Sequence, residues 1–153
     1  MVLLVVACGS DDVDEPRSQQ AADVGEAPDE LVGTYSLNLK RNDLPEDPPP
    51  ELSGGVGGWT LKIANSGGPW GRSFAVVNDR LGTLEEPAFS VEEDRISLEE
   101  QECAVMDPGT KVESEYQWTL SGSSLTFEVV SNGCPDDVML TLLSAKPWTK
   151  DGF

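Results

Sequence analysis

The sequence predicts an all-β domain, an eight-stranded antiparallel up-and-down barrel, with a two-sheet β-sandwich as the alternative. From Leu31 onward apolar and polar residues alternate in short runs, the period-2 pattern of half-buried strands. Clusters of Gly, Pro, Asn and Asp separate these runs, as tight turns require. No amphipathic helix of ordinary length is apparent. Eight strands in hairpin order over about 115 residues suit a closed sheet, because closure removes the exposed edges that short strands would otherwise present. The interior of such a barrel is either filled by side chains or holds one small ligand.

The strands follow in order. The first, at 31–39, places Leu31, Gly33, Tyr35, Leu37 and Leu39 on one face. A connection from Asp43 to Gly58 follows, and its Pro48-Pro49-Pro50 excludes a sheet interior there. The second, at 58–65, groups Trp59, Leu61 and Ile63, and Ser66-Gly67-Gly68-Pro69 turns the chain. The third, at 70–78, groups Phe74 and Val76. The fourth and fifth, at 87–91 and 95–99, meet at Glu92-Glu93-Asp94, with Phe89 and Val91 answering Ile96 and Leu98. The sixth, at 111–120, alternates Tyr116, Trp118 and Leu120 against Glu115, Gln117 and Thr119, so one of its faces is solvated. Ser121-Gly122-Ser123 leads into the seventh, at 124–131, with Leu125, Phe127 and Val129 inward. The eighth is the nearly continuous apolar run at 137–145, ahead of Pro147-Trp148.

A chain of 153 residues has room for one domain with a real core. Its 28 acidic residues against 10 basic ones, a formal charge of -18, exclude a phosphate-binding basic face and hence nucleic acid as a partner. Anionic lipid surfaces should repel the domain as well.

At the N-terminus, uncharged Val2 to Ala7 run into Cys8-Gly9-Ser10 and Asp11-Asp12. Val5-Val6-Ala7-Cys8 resembles the end of a lipoprotein signal peptide, where small side chains flank the scissile bond and the thiol takes the lipid. On that reading residues 1–7 are a truncated-looking signal peptide whose true start codon lies upstream, and Cys8 is lipidated. The plainer reading of 2–7 is a strand or a disordered end. Residues 9–30 carry eight acidic residues and one Arg, too little apolar surface to fold alone, and 8–30 is expected to be an acidic tether. The domain then spans 31–149, with a short tail at 150–153.

Three cysteines leave one thiol over in an exported chain, and lipidation of Cys8 accounts for it. Cys103 and Cys134 can then close a disulfide in an oxidising compartment or stay as buried thiols. Closing that loop of about 30 residues would stabilise the fold by roughly 3 to 4 kcal/mol.

Gly33-Thr34-Tyr35, Gly58-Trp59-Thr60-Leu61, Tyr116-Gln117-Trp118-Thr119-Leu120, Leu125-Thr126-Phe127, Cys134-Pro135-Asp136 and Lys146-Pro147-Trp148-Thr149, taken in order, resemble the lipocalin-like domains of actinobacterial exported proteins. The resemblance covers residues 31 to 149. It implies a calycin-type barrel and a Cys103–Cys134 disulfide. It also implies a small hydrophobic molecule in the barrel mouth as the ligand, and either Gly33-Thr34-Tyr35 or Gly58-Trp59 stands where such domains carry Gly-x-Trp.

The chain has no histidine, which removes Ser-His and Cys-His nucleophile pairs and the commonest transition-metal ligand. Glu92-Glu93-Asp94 and Glu99-Glu100-Glu102 could form a glycosidase carboxylate pair only across a cleft, and acidic runs at turns are ordinarily solvated. No loop has EF-hand spacing, and Asp11-Asp12-Val13-Asp14 falls in the tether. The expectation is therefore a non-enzyme with no cofactor and no metal site. Tyr35, Trp59, Phe74, Tyr116, Trp118 and Phe127 are the candidate ligand-binding residues, since a barrel gathers these apolar faces into one lumen. Their plainer role is core. Two functions follow: a membrane-tethered binder of a small apolar or amphiphilic molecule, or a protein-interaction or inhibitor module of the cell envelope with a filled interior.

Overall fold

A computed structural model describes residues 25–100, 107, 110, 112–134 and 138–152. The chain runs β1 (Gly33–Leu39), a 3-10 turn (Arg41–Asp43), α1 (Pro50–Gly54), β2 (Gly57–Ala64), β3 (Ser73–Asn78), β4 (Gly82–Glu85), β5 (Ala88–Glu92), β6 (Arg95–Glu100), β7 (Val112–Ser121), β8 (Ser124–Ser131), α2 (Val138–Ser144) and β9 (Trp148–Lys150). The fold is mostly β, as expected. All nine strands belong to one antiparallel sheet in the order β4-β3-β2-β1-β9-β8-β7-β6-β5, which is not a two-sheet sandwich.

Among the described residues no ladder joins β5 to β3 or β4, so the sheet is not closed by backbone hydrogen bonds into the expected barrel. Its two edges nevertheless meet. Only Glu86 and Pro87 separate β4 from β5, three Cα steps or at most about 11 Å. Edge strands of a flat nine-stranded sheet would stand roughly 38 Å apart, so the sheet must curl. Strict alternation of direction across nine strands also leaves the two edge strands pointing the same way, so Gly82 to Glu92 is one run bent at the buried Pro87. Proline suits that bend, having no N–H to offer a ladder. Across the seam β3 and β5 are in contact, with the Phe74 and Phe89 rings 5.8 Å apart.

The curled sheet has two ends. At one, which we call the helical end, lie Leu39, Gly57, Asn78, Gly82 and Ser131. There α2 packs on β8 and touches α1, and Leu52, Met139, Leu142 and Leu143 are buried. At the other, the strap end, lie Gly33, Ser73, Glu92, Ser121 and Lys150. There residues 25–31 cross the sheet, burying Ala27 and Leu31. One continuous core fills the space between.

Three expectations are corrected. The run at 137–145 contains helix α2 instead of a strand: Leu and Met favour helix, and Met139, Leu142 and Leu143 share one helical face by i, i+3, i+4 spacing. The place beside β1 passes to β9, whose Trp148 pairs with Leu125 and whose Lys150 pairs with Tyr35. The acidic tether does not reach residue 30, because Gly25, Ala27 and Glu30 are hydrogen-bonded to the sheet and its flanks, and the unforeseen β4 raises the strand count among the described residues to nine. The signal-peptide reading, Cys8 and Cys103 lie outside the described residues.

Candidate functional site

The six aromatic candidates are carried on β1, β2, β3, β7 and β8 by strict alternation, and all six face inward. Tyr35, Trp59, Phe74, Tyr116 and Phe127 are buried, and Trp118 is half-buried against the same core. Phe127 meets Phe74 at 6.5 Å and Tyr116 at 6.4 Å in edge-to-face geometry, which favours the ring quadrupoles. With Phe89 they form a chain of rings from β7 to the seam.

Tyr35 and Trp59 are tied to opposite ends. The Tyr35 hydroxyl donates to the Leu31 carbonyl at 2.8 Å in the strap. Burial pushes its pKa up to about 12, because the phenolate would be stripped of water. Trp59 Nε1 donates to the Gly55 carbonyl at 2.6 Å, and the buried Asn78 side chain donates to that carbonyl at 3.2 Å. One backbone oxygen thus anchors the α1 connection to β2 and β3. The indole N–H groups of Trp118 and Trp148 are buried with no hydrogen-bond partner among the described residues.

Two surface hollows lie away from these six side chains. One of about 200 Å³ is lined by Ala88, Phe89, Ser90, Ser97, Glu99 and Glu113, with Glu99 and Glu113 directly opposite on β6 and β7. The other, about 430 Å³, lies against the strap beside Asn65, Val91 and Glu93. Of the acidic runs, Asp94 is engaged at its turn, its carbonyl accepting from the Trp118 N–H at 2.8 Å and its carboxylate from Gln117 Nε2 at 2.6 Å. Glu102 lies outside the described residues. Among the described residues no three acidic or sulfur side chains are placed to hold a metal ion together. No helix among them is long and apolar enough to cross a membrane.

Cys134 is disulfide-bonded, and its partner lies outside the described residues. Asn132 steadies it: its Oδ1 accepts from the Cys134 N–H and from Ser114 Oγ, both at 3.0 Å.

Sequence reasoning missed the strap. The Asn65 side chain clasps the Ala27 backbone as a strand would, accepting from its N–H and donating to its carbonyl, each at 2.8 Å. The Gly25 carbonyl accepts from Arg72 Nη1 beside β3 and from the Val91 N–H in β5, bridging the seam. Lys150 Nζ donates to the Glu30 carbonyl at 2.6 Å and stands 5.6 Å from the Tyr35 ring centroid. The glycine at 25 was the available signal, since its φ of +94° suits only glycine well. No protein-family model, characterised protein or solved structure matches this chain.

Proposed function

We propose that the chain is a lipid-anchored extracytoplasmic module that acts on a macromolecular partner through its outer surface, with its interior serving as structure. One observation carries this: the aromatic side chains best suited to a ligand are joined to each other and to aliphatic residues of every sheet wall in a single buried core. A rigid filled scaffold presenting loops is what such an interior supports. The curled sheet then reads as an interrupted eight-stranded barrel, with Gly82 to Glu92 as one bent strand shared between β3 and β6, in keeping with the lipocalin-like resemblance. The anchor is Cys8, with lipid giving membrane affinity through buried methylenes. Cys134 pairs with Cys103, the other cysteine left once Cys8 is acylated.

Native mass spectrometry of the chain extracted from cell envelopes tests the filled interior. The expected mass is that of the polypeptide plus its anchor; a further small molecule retained in one-to-one ratio would sink the reading. Cys8→Ser is expected to move the chain from the membrane fraction to the soluble one. The donor-only indoles of Trp118 and Trp148 favour a second reading, since buried N–H groups are nearly always paired. A small apolar ligand with a hydrogen-bond acceptor would satisfy them, and the same mass measurement would reveal it.

A further inference from the structure

We propose that the turn between β2 and β3, led by Trp70, lies on the lipid surface to which the chain is anchored; the proposal rests on the anchoring reading above. Trp70 is 55 % exposed, whereas Trp59 and Trp148 are buried and Trp118 is packed against the core. Tryptophan is the side chain best suited to the membrane interface, with an apolar body and one polar edge.

The charge distribution singles out the same hairpin. Residues 52 to 78 contain no Asp or Glu but include Lys62 and Arg72, in a chain with 28 acidic residues out of 153. An even spread would put about five acids in those 27 positions, so this is a stretch of the chain that a negative headgroup layer does not repel. The tip, Ser66-Gly67-Gly68-Pro69-Trp70-Gly71, is short and tight. The Gly71 N–H donates to the Gly68 carbonyl at 3.0 Å, and a Cβ on Gly68 would fall 1.8 Å from the Arg72 carbonyl oxygen.

Position supplies the remaining argument. Arg72, two residues after Trp70, holds the carbonyl of Gly25, and Gly25 is 17 residues after Cys8 in sequence. The chain toward the lipid therefore leaves from beside this turn, and 17 residues reach at most about 60 Å. The other large exposed apolar residues among those described, Leu81 and the Val129–Val130 pair, lie toward the helical end. Glu26, Asp29 and Glu93 border the neighbouring hollow and the Glu86 carboxylate accepts from Ser73 Oγ at 3.2 Å at the base of the turn, so the contact is confined to the tip and favours zwitterionic over anionic lipid.

The test uses the full lipidated chain in phosphatidylcholine vesicles brominated on the upper acyl carbons. Four tryptophans share the emission, so quenching of about a quarter is expected for the native chain and its loss for Trp70→Ala. Near-ultraviolet circular dichroism checks that the variant is folded. Vesicle-bound native chain with no bromine-dependent quenching would overturn the Trp70 contact and leave the anchor standing. So would a photo-crosslinker at position 70 that labels a protein in intact cells instead of lipid. If the native and Cys8→Ser chains both fractionate as soluble, the anchoring reading fails and takes this proposal with it.

Discussion

The two ends of the curled sheet are sealed by different physics. At the helical end Leu52, Met139, Leu142 and Leu143 form an apolar plug, and the polar lock beneath it, Trp59 and Asn78 on the Gly55 carbonyl, is buried. At the strap end, side chains hydrogen-bond to the backbone of Gly25, Ala27, Glu30 and Leu31, several of them at partly exposed positions. Burial is non-directional and accumulates with area, whereas hydrogen bonds are directional and net only about 1 kcal/mol each. The helical end should therefore carry the stability. The strap end should open first.

The sharpest way to break this contrast is Trp59→Ala. It empties core volume and leaves Gly55 with Asn78 alone, so a loss of about 3 to 5 kcal/mol is expected in urea unfolding. Leu142→Ala should cost about 2 to 4 kcal/mol by the same cavity mechanism. Asn65→Ala removes both bonds to Ala27 and should cost about 1 to 3 kcal/mol. In that variant hydrogen exchange should quicken at Ala27 and Val91 before β7 or β8 changes. Uniform quickening would mean that the strap does not open on its own.

The smallest effects are read by pH, one at each end. Burial raises the Tyr35 pKa to about 12, so the unfolded chain releases this proton near 10 and the folded chain does not. Stability from this group is whole below pH 10 and is lost as pH rises toward 12; in Tyr35→Phe that alkaline loss should shrink. At the helical end the Asp43 carboxylate accepts from Lys146 Nζ at 2.8 Å and from the Lys40 N–H at 2.8 Å, and the Lys146 bond is the larger cause of its lowered pKa. Its contribution is present above the usual carboxylate value and is lost as pH falls through the lowered one. Asp43→Asn should flatten a shallow acid-side decline in thermal midpoint.

Most of the sheet was legible because its signal is local. Alternation in Tyr35-Ser36-Leu37 or Tyr116-Gln117-Trp118 states which side chains face inward, and seven of the expected strands appear close to where the pattern placed them. What failed was either ambiguous or long-range. A short apolar run such as Val138 to Leu143 has no polar residues spaced to separate a helix from a buried strand. The strap depends on Asn65, Arg72 and Lys150 reaching across 38 to 120 positions, which no periodicity records. The candidate site was half legible. Alternation correctly turned the six aromatics inward, yet a pocket lining and a packed core are written in the same residues, and only their mutual contacts separate them.

The pairing of β1 with β9 has a consequence in time. Tyr35 meets Lys150 across a sequence separation of 115, and β9 is the strand that links β1 to β8. A chain emerging from the ribosome N-terminus first can form its hairpins early, since those contacts are local. It cannot join its two walls until Lys150 has emerged, because non-local pairing must wait for both partners. The sheet is completed by its ninth strand.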